Sequence, residues 1–450
     1  MGAAGREGRV AVYGMGYVGK AVAAVMLRAG FEVVGVDVSR EKVEELNRGL
    51  VRYVEAEVRE AILRGLREGS FRATVDGVEA SRECGVKVVT VPVYLGRDLQ
   101  PDFSSFEAAV RAAGEGSEKG DLVVVESSVP PGTTLGLVKP VLEEASGLRV
   151  EDELLLAYSP ERVYVGRAVK DIEERYPKVV AGVGPRSAEA AVALYSRVAK
   201  RGVVVLSSPT AAELEKLAEG VYRDVNIALA NELARLAAAL GVDYLEVREA
   251  ANTQPYCHLH MPGVGVGGYC IPVYPRFLTY AASKLGLELP LVELARRINL
   301  SMPGYTADLV DAVAGRLGVS EPKVAILGLA FRGGVDDTRL SPTYDLLDAL
   351  LKKGYGDVVV HDPYVERDAQ LEALGVELVK DLEGALRGRD VIVIATDHPE
   401  YAGLTLGFLK NASGRERVGV VDGRLVIKDW RSPPPGVVYA AIGRPIAANL

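Results

Sequence analysis

Cysteine is nearly missing from this chain: three in 450 residues. Three thiols cannot staple a chain this long, and so sparse a usage suits a reducing compartment. No apolar stretch reaches the roughly 18 residues that a membrane-spanning helix needs. No run of Lys or Arg stands out either, and 53 basic against 61 acidic side chains leave a net charge of −8. Nucleic-acid and polybasic-membrane readings are therefore set aside. Arg6 stands where a myristoylation signal wants Ser or Thr. A strand-like run has begun by Val10, which does not suit a secretory signal, so a cytoplasmic location is expected. Amides are also scarce, with seven Asn and three Gln beside five Met. Such depletion alongside abundant Arg and Glu is a pattern of heat-adapted, thermophilic proteins.

What is present is an ordinary apolar fraction, 48%, with 25% charged residues, enough for about two to four packed domains. RVAVYG, FEVVGVDV, VKVVTVPV, DLVVVESS, LLLAYSPE, KVVAGV and GVVVLSS read as short buried strands between Arg9 and about Leu206. Helical stretches such as Lys20–Arg28 and Ser104–Ala113 alternate with them, the pattern of a doubly wound parallel sheet. From Ala211 to Leu240 there is no Pro and one Gly, which predicts a single helix roughly 45 Å long. A Gly/Pro-rich loop from Pro262 to Pro275 follows, then helices from about Arg276 to Arg316 and a turn at Gly318–Pro322. KVAILGLAF, DVVVHDP, VELVKD, DVIVIATDH and VGVVDG then predict a second alternating region. The expected fold is α/β: two Rossmann-like doubly wound parallel sheets, residues 1–208 and 319–450, joined by a helical central domain, 209–318, with a long spine helix.

The firmest chemical signal is VAVYGMGYVGKAVAAVMLRAG, with Gly14, Gly16 and Gly19 directly after a strand and opening a helix. Gly14 would make the tight turn, Gly16 would admit a pyrophosphate and Gly19 would let helix and strand pack closely. The phosphates would meet free N–H groups at the positive end of the helix. Met15, Tyr17 and Val18 complete that loop. Asp37 ends the next strand, 18 residues past the third glycine. A carboxylate there binds the adenosine ribose hydroxyls and repels a 2′-phosphate, which favours NAD over NADP, although Arg40 could accommodate a phosphate. A second signal is PGVGVGGYCIP, where Cys270 follows a run of glycines. Such a cysteine is either a reactive thiol beside a close-approaching backbone or a small buried hydrophobe, and the loop alone does not choose.

Together these segments resemble the UDP-glucose/GDP-mannose dehydrogenase family. The resemblance runs from Arg9 to the C-terminus through GMGYVG, ESSVPPGTT (126–134), SPERV (159–163), ELEKLAEGVYRDVNIALANELA from Glu213, GVGGYCIP from Gly265, VAILGLAFRGGVDDTRLSP from Val324, DVIVIATDH and VVDGR. The form of the middle motifs is nearest to members acting on UDP-N-acetylhexosamines (UDP-ManNAc or UDP-GlcNAc), less so to UDP-glucose dehydrogenases. The resemblance implies a homodimeric, NAD-dependent enzyme of polysaccharide biosynthesis that oxidises a sugar C6 alcohol to a carboxylate through a cysteine thioester. Cys270 matches the nucleophile, Lys216 the oxyanion cation, Glu161 the carboxylate that manages protons and water, and Ser128 a hydroxyl position. Pro92, Ser127, Ser128 and Arg339 match cofactor positions. Arg162, Val163, Gly263, Gly265, Gly267, Gly268, Phe331 and Arg332 match substrate positions, with Arg339 near the phosphates unless Asp336 or Asp337 holds it.

Three positions depart from the family's common pattern. Gly220 stands where many members have Asn, four residues after the lysine; Tyr274 where they have Asp, four after the cysteine; and Tyr269 where His is common. These departures leave a UDP-glucose dehydrogenase and a nucleotide-sugar-binding protein without turnover as alternatives. YCHLH at 256–260 invites a metal reading, but its spacing matches no zinc signature, and no metal is expected. His361 and His398 read as strand-end residues.

Overall fold

The computed structural model describes residues 5–450 apart from Tyr53. The chain folds as two compact units, one of residues up to Glu219 with Arg276–Leu287, the other of Gly220–Pro275 with Glu288–Leu450.

The first unit carries β1 (Arg9–Tyr13), β2 (Glu32–Val36), β3 (Phe71–Thr74) and β4 (Val86–Val89). It continues with a short antiparallel pair, β5 (Tyr94–Leu95) and β6 (Pro101–Asp102), then β7 (Leu122–Val125), β8 (Leu155–Tyr158), β9 (Lys178–Gly182) and β10 (Val203–Val205). The main sheet runs β3-β2-β1-β4-β7-β8-β9-β10. All its neighbours are parallel except β8 and β9. Its central strands are Val-rich because helices such as Tyr17–Arg28 and Ser104–Glu115 cover both faces, leaving no wet face to alternate toward. β3 escaped the strand reading: FRAT is four residues long, lies at the sheet edge and alternates buried with half-buried positions.

The second unit carries β11 (Val324–Leu327), β12 (Val358–His361), β13 (Glu377–Val379), β14 (Val391–Ile394), β15 (Val418–Asp422), β16 (Val437–Ala441) and β17 (Arg444–Asn449). Their order is β13-β12-β11-β14-β15-β16-β17, parallel up to the final antiparallel pair. The helix Pro290–Leu317 lies on this sheet so closely that a Cβ on Gly419 would come 2.1 Å from Val313 Cγ1.

The spine helix expected from Ala211 to Leu240 runs Pro209–Ala239. The expected loop from Pro262 to Pro275 ends sooner, because a helix starts at Cys270 and runs to Ser283. Pro272 is tolerated in its first turn, where an N–H has no intrahelical acceptor in any case. Cys270 is thus the first residue of a helix. No helix among the described residues is long and apolar enough to cross a membrane.

Candidate active site

In the first unit the turn after β1 is built by three glycines for three reasons. Gly14 has a left-handed φ of 94°, and its N–H donates to the Val36 carbonyl at 2.7 Å. A Cβ on Gly19 would sit 1.9 Å from the Gly14 oxygen, so the helix could not approach the turn. A Cβ on Gly16 would meet nothing within 4 Å; Gly16 is exposed and caps the helix Tyr17–Arg28 with no side-chain bond. Open space over a helix N-terminus is what a pyrophosphate needs. Met15 supplies backbone only: its side chain is buried against Gly35, while its N–H donates to Asp37 Oδ2 at 3.0 Å. The Tyr17 hydroxyl donates to Glu55 and accepts from the Gly166 N–H; Val18 is half-buried.

Asp37 also accepts from the Ser39 N–H and from Lys42 Nζ, at 3.0 and 2.8 Å. Lys42, which sequence reasoning passed over, therefore neighbours the carboxylate, whereas Arg40 is exposed at the start of its helix. Pro92 is exposed beyond β4, Ser127 is buried with its hydroxyl on the Val89 carbonyl, and Ser128 is half-buried.

Glu161 follows β8 and is buried. It caps no helix; Oε1 accepts the Arg162 N–H at 2.7 Å and Oε2 accepts from Lys178 Nζ at 2.6 Å. Lys178 also reaches Glu126 Oε1 at 3.0 Å, and the Tyr195 hydroxyl donates to that same oxygen at 2.5 Å. The reversed β9 creates this cluster. Ala181 pairs with Tyr158, so the strand's first residue, Lys178, falls beside Glu161 at the edge where β7 delivers Glu126. Burial pushes the Glu126 carboxyl above its usual range. Burial pulls the Lys178 ammonium down, but Glu126 and Glu161 outweigh that and leave it raised. The only hint of this in the sequence is a lysine at the head of an otherwise apolar strand.

Arg162 pairs with Glu219 at 3.1 Å and lies over the Tyr176 ring; Val163 is half-buried. Lys216 is half-buried on the spine helix. On the same helix Glu213 is buried and accepts the Gly132 and Thr134 N–H groups at 2.6 and 2.7 Å. Glu219 belongs to Arg162. Burial raises the Glu213 pKa against these hydrogen bonds.

In the second unit Cys270 is exposed, whereas Cys84 is buried, its thiol pushed up to about 12 by burial, and Cys257 is half-buried. The loop before Cys270 lies against the segment after β11. The Gly268 N–H donates to the Arg339 carbonyl at 2.9 Å, and a Cβ on Gly268 (φ 80°) would strike the Phe331 ring at 2.8 Å. Cβ atoms on Gly263, Gly265 and Gly267 would come within 2.5–2.7 Å of Arg424, Pro342 and Leu340. The position a Cβ would take at each of these glycines is therefore filled by the protein's own atoms. Arg332 is half-buried. Arg339 is exposed and bidentate on Asp337, at 2.9 and 2.6 Å. The Gly263 N–H donates to Asn231, which donates to Asn299, which donates to Asp224, all four buried.

The second sheet repeats the first one's device with a different outcome. Asp362 follows β12 as Asp37 follows β2, and it accepts the Leu329 and Ala330 N–H groups after β11 at 2.8 and 2.9 Å. His398 Nδ1 accepts the Gly334 N–H, so Nε2 carries the proton it donates to Asp362 at 3.0 Å. Burial raises the Asp362 pKa, but these bonds overcome it and hold the carboxyl well below the usual range. Asp362 is fully buried and serves the backbone. Among the described residues no group of three or more His, Cys, Asp or Glu is placed to hold a metal ion.

Two Rossmann-like sheets, on one of them a glycine turn with an acid at the end of the next strand, and an exposed thiol at a helix start are the features of a dinucleotide-dependent dehydrogenase. The three domains of one family match in order: the NAD-binding domain of the UDP-glucose/GDP-mannose dehydrogenases over 8–199, the central domain over 210–301 and the UDP-binding domain over 325–429. The chain is 37% identical over 438 residues to a UDP-N-acetyl-D-mannosamine dehydrogenase of Pyrococcus horikoshii, covering 97% of this chain and 99% of that one. It is 34% identical to an NDP-N-acetyl-D-galactosaminuronic acid dehydrogenase of Ralstonia nicotianae, covering 87% and 91%. A solved structure of UDP-glucose dehydrogenase from Pyrobaculum islandicum matches with a TM-score of 0.86 at 32% identity over 98% of both chains. The chain belongs to the UDP-glucose/GDP-mannose dehydrogenase family and is a nucleotide-sugar dehydrogenase that uses a nicotinamide dinucleotide.

Proposed function

We propose that the chain oxidises the C6 alcohol of a UDP-N-acetylhexosamine, UDP-N-acetylmannosamine before its gluco epimer, to the uronic acid with NAD. The observation that carries the chemistry is Cys270, exposed as the first residue of its helix behind the glycine loop. The near-complete match to the Pyrococcus protein supports the sugar. NAD supplies the hydride acceptor for two successive oxidations, so each sugar consumes two.

Residues 1–208 hold the dinucleotide through the Gly14–Gly19 turn, with Asp37 on the ribose disfavouring a 2′-phosphate by like charge. Residues 319–450 hold the uridine diphosphate, with Phe331 and Arg332 in contact. Lys216 steadies the oxygen at C6, first as alkoxide and then as the thiohemiacetal oxyanion. Cys270 Sγ bonds to C6 of the aldehyde; after the second oxidation the thioester takes up water. Glu161 accepts the water's proton, with Ser128 on the same oxygen, and the C–S bond breaks to release the carboxylate and restore the thiolate. Residues 209–318 also carry a dimer contact: Tyr222, Leu229 and Leu236 repeat at seven-residue spacing on the spine helix and are each about half exposed.

A panel of nucleotide sugars with NAD, counting NADH per sugar consumed, tests this reading. Two NADH per UDP-N-acetylmannosamine is expected. Faster turnover of UDP-glucose favours the second reading, which the Pyrobaculum likeness supports. One NADH per sugar defeats the thioester route, and binding without NADH defeats turnover altogether.

A further inference from the structure

The helix that begins at Cys270 has a weak first turn. Pro275 lacks the N–H that would close onto the Ile271 carbonyl four residues back, so one i to i+4 bond is missing there. That turn carries the thiol, and its Val273 and Tyr274 side chains are both buried. Tyr274 packs against an unusual place on the spine helix. Gly220 lies in the interior of that helix without a left-handed φ, so no backbone conformation calls for glycine there. Its cost is about 1 kcal/mol relative to alanine. The reason is close approach: a Cβ on Gly220 would come 2.4 Å from Tyr274 Cδ2 and 3.2–3.3 Å from two more ring atoms. Any side chain at 220 would collide with the ring.

We infer that Gly220 and Tyr274 are one coupled device, in which the Tyr274 ring, seated in the space left by Gly220, is a positioning residue for the Cys270 thiol. The two departures from the family's usual Asn and Asp are then a single change: an aromatic ring one turn after the cysteine requires an empty position one turn after the lysine. The group at 274 is then an aromatic ring in place of a carboxylate, and it sets the thiol's place by packing. The inference rests on Cys270 as nucleophile.

The test is a cycle of Gly220→Ala, Tyr274→Ala and the double variant, with Tyr274→Phe beside it. Each is read by kcat and KM for both substrates and by the alkylation rate of Cys270, followed by peptide mass from roughly pH 6 to 9. Gly220→Ala should lower kcat about 10- to 100-fold with little change in KM for NAD, and should displace the alkylation profile. In the Tyr274→Ala background the added methyl has room, so the double variant should be no worse than Tyr274→Ala alone. Tyr274→Phe, which keeps the ring, should keep most of the activity. A Gly220→Ala protein with normal kcat and alkylation overturns the inference, as do losses that simply multiply in the double variant. If Gly220→Ala folds only when Tyr274 is also Ala, the coupling stands; if it folds in neither background, the coupling fails. Were Cys270 not the nucleophile, Cys270→Ser would retain turnover while the alkylation cycle still reported the coupling.

Discussion

Replacing Lys178 by Met should expose how Glu161 is held. The ammonium lies between two buried carboxylates, 2.6 Å from Glu161 and 3.0 Å from Glu126. Methionine keeps most of the volume, so the loss is of charge and hydrogen bonds. Breaking a buried pair by removing one partner costs about 3–5 kcal/mol, because the remaining charge is left without compensation. For a unit of this size each kcal/mol moves the unfolding midpoint by about 2–4 °C, so a fall of roughly 6–20 °C is expected. The loss should depend on pH with a definite sign. Glu126 already titrates above its unfolded value through burial, and without Lys178 it should titrate higher still. A group whose folded pKa is raised gives no penalty below its unfolded pKa, near about 4.3, and an increasing one as pH rises toward the folded value. The gap between variant and wild-type melting points should thus be small near pH 4 and larger at about pH 8. Adding Glu126→Gln to Lys178→Met removes one of the stranded charges and should recover part of the stability. A variant that melts within about 1 °C of the wild type, or whose deficit is equal at both ends of that range, would refute the reasoning.

Other expectations follow from the same geometry. Cys270→Ser should bind NAD and UDP-sugar by calorimetry yet produce at most about two NADH per site, since a serine hydroxyl stays protonated near neutral pH; sustained turnover with two NADH per sugar contradicts the thioester route. Cys84→Ser and Cys257→Ser should keep most activity, and iodoacetamide should modify Cys270 well before Cys84, which burial keeps as the thiol. Asp37→Ala should relax the preference for NAD, read as the ratio of kcat/KM for NAD and NADP; an unmodified protein that uses both equally defeats the role given to Asp37. Sedimentation at micromolar concentration should show a dimer, and Leu229→Glu on the exposed stripe should dissociate it; a monomeric wild type refutes the interface.

Much of the molecule was legible because its signals are local. The Gly14–Gly19 turn joins a strand, a helix and the next strand within about thirty residues, and Gly14 and Gly19 answer to neighbours close in sequence or beside an adjoining strand. The spine helix could be read from the lack of Pro over thirty positions, and the central strands from their Val runs, because buried parallel strands have no polar face. Some strands were not legible: β3, at a sheet edge, alternates, and β16 and β17 were not anticipated at all. Cys270 was recognised by its glycines and its motif, but its place as the first residue of a helix was not, since Pro272 and Pro275 read as loop residues. Glycine at 263, 265 and 267 matched the family's substrate positions, and the contacts with Arg424, Pro342 and Leu340 that leave no space for a Cβ there, distant in sequence, were not legible.

The sequence by itself determined the class of fold, the dinucleotide turn and the order of the motifs. Each is written in residues near one another or in a linear order of segments. Only the tertiary structure decided what holds those residues. Glu126, Glu161 and Lys178 meet because one strand runs against its neighbour, a pairing that no stretch of sequence announces. Asp362 and Asp37 look alike in sequence and both are buried with amides on their oxygens, because burial demands partners for a charge. What the structure adds is the side-chain partner, His398 for the first and Lys42 for the second. Gly220 and Tyr274 were two separate oddities along the chain, and became one contact when two helices came together.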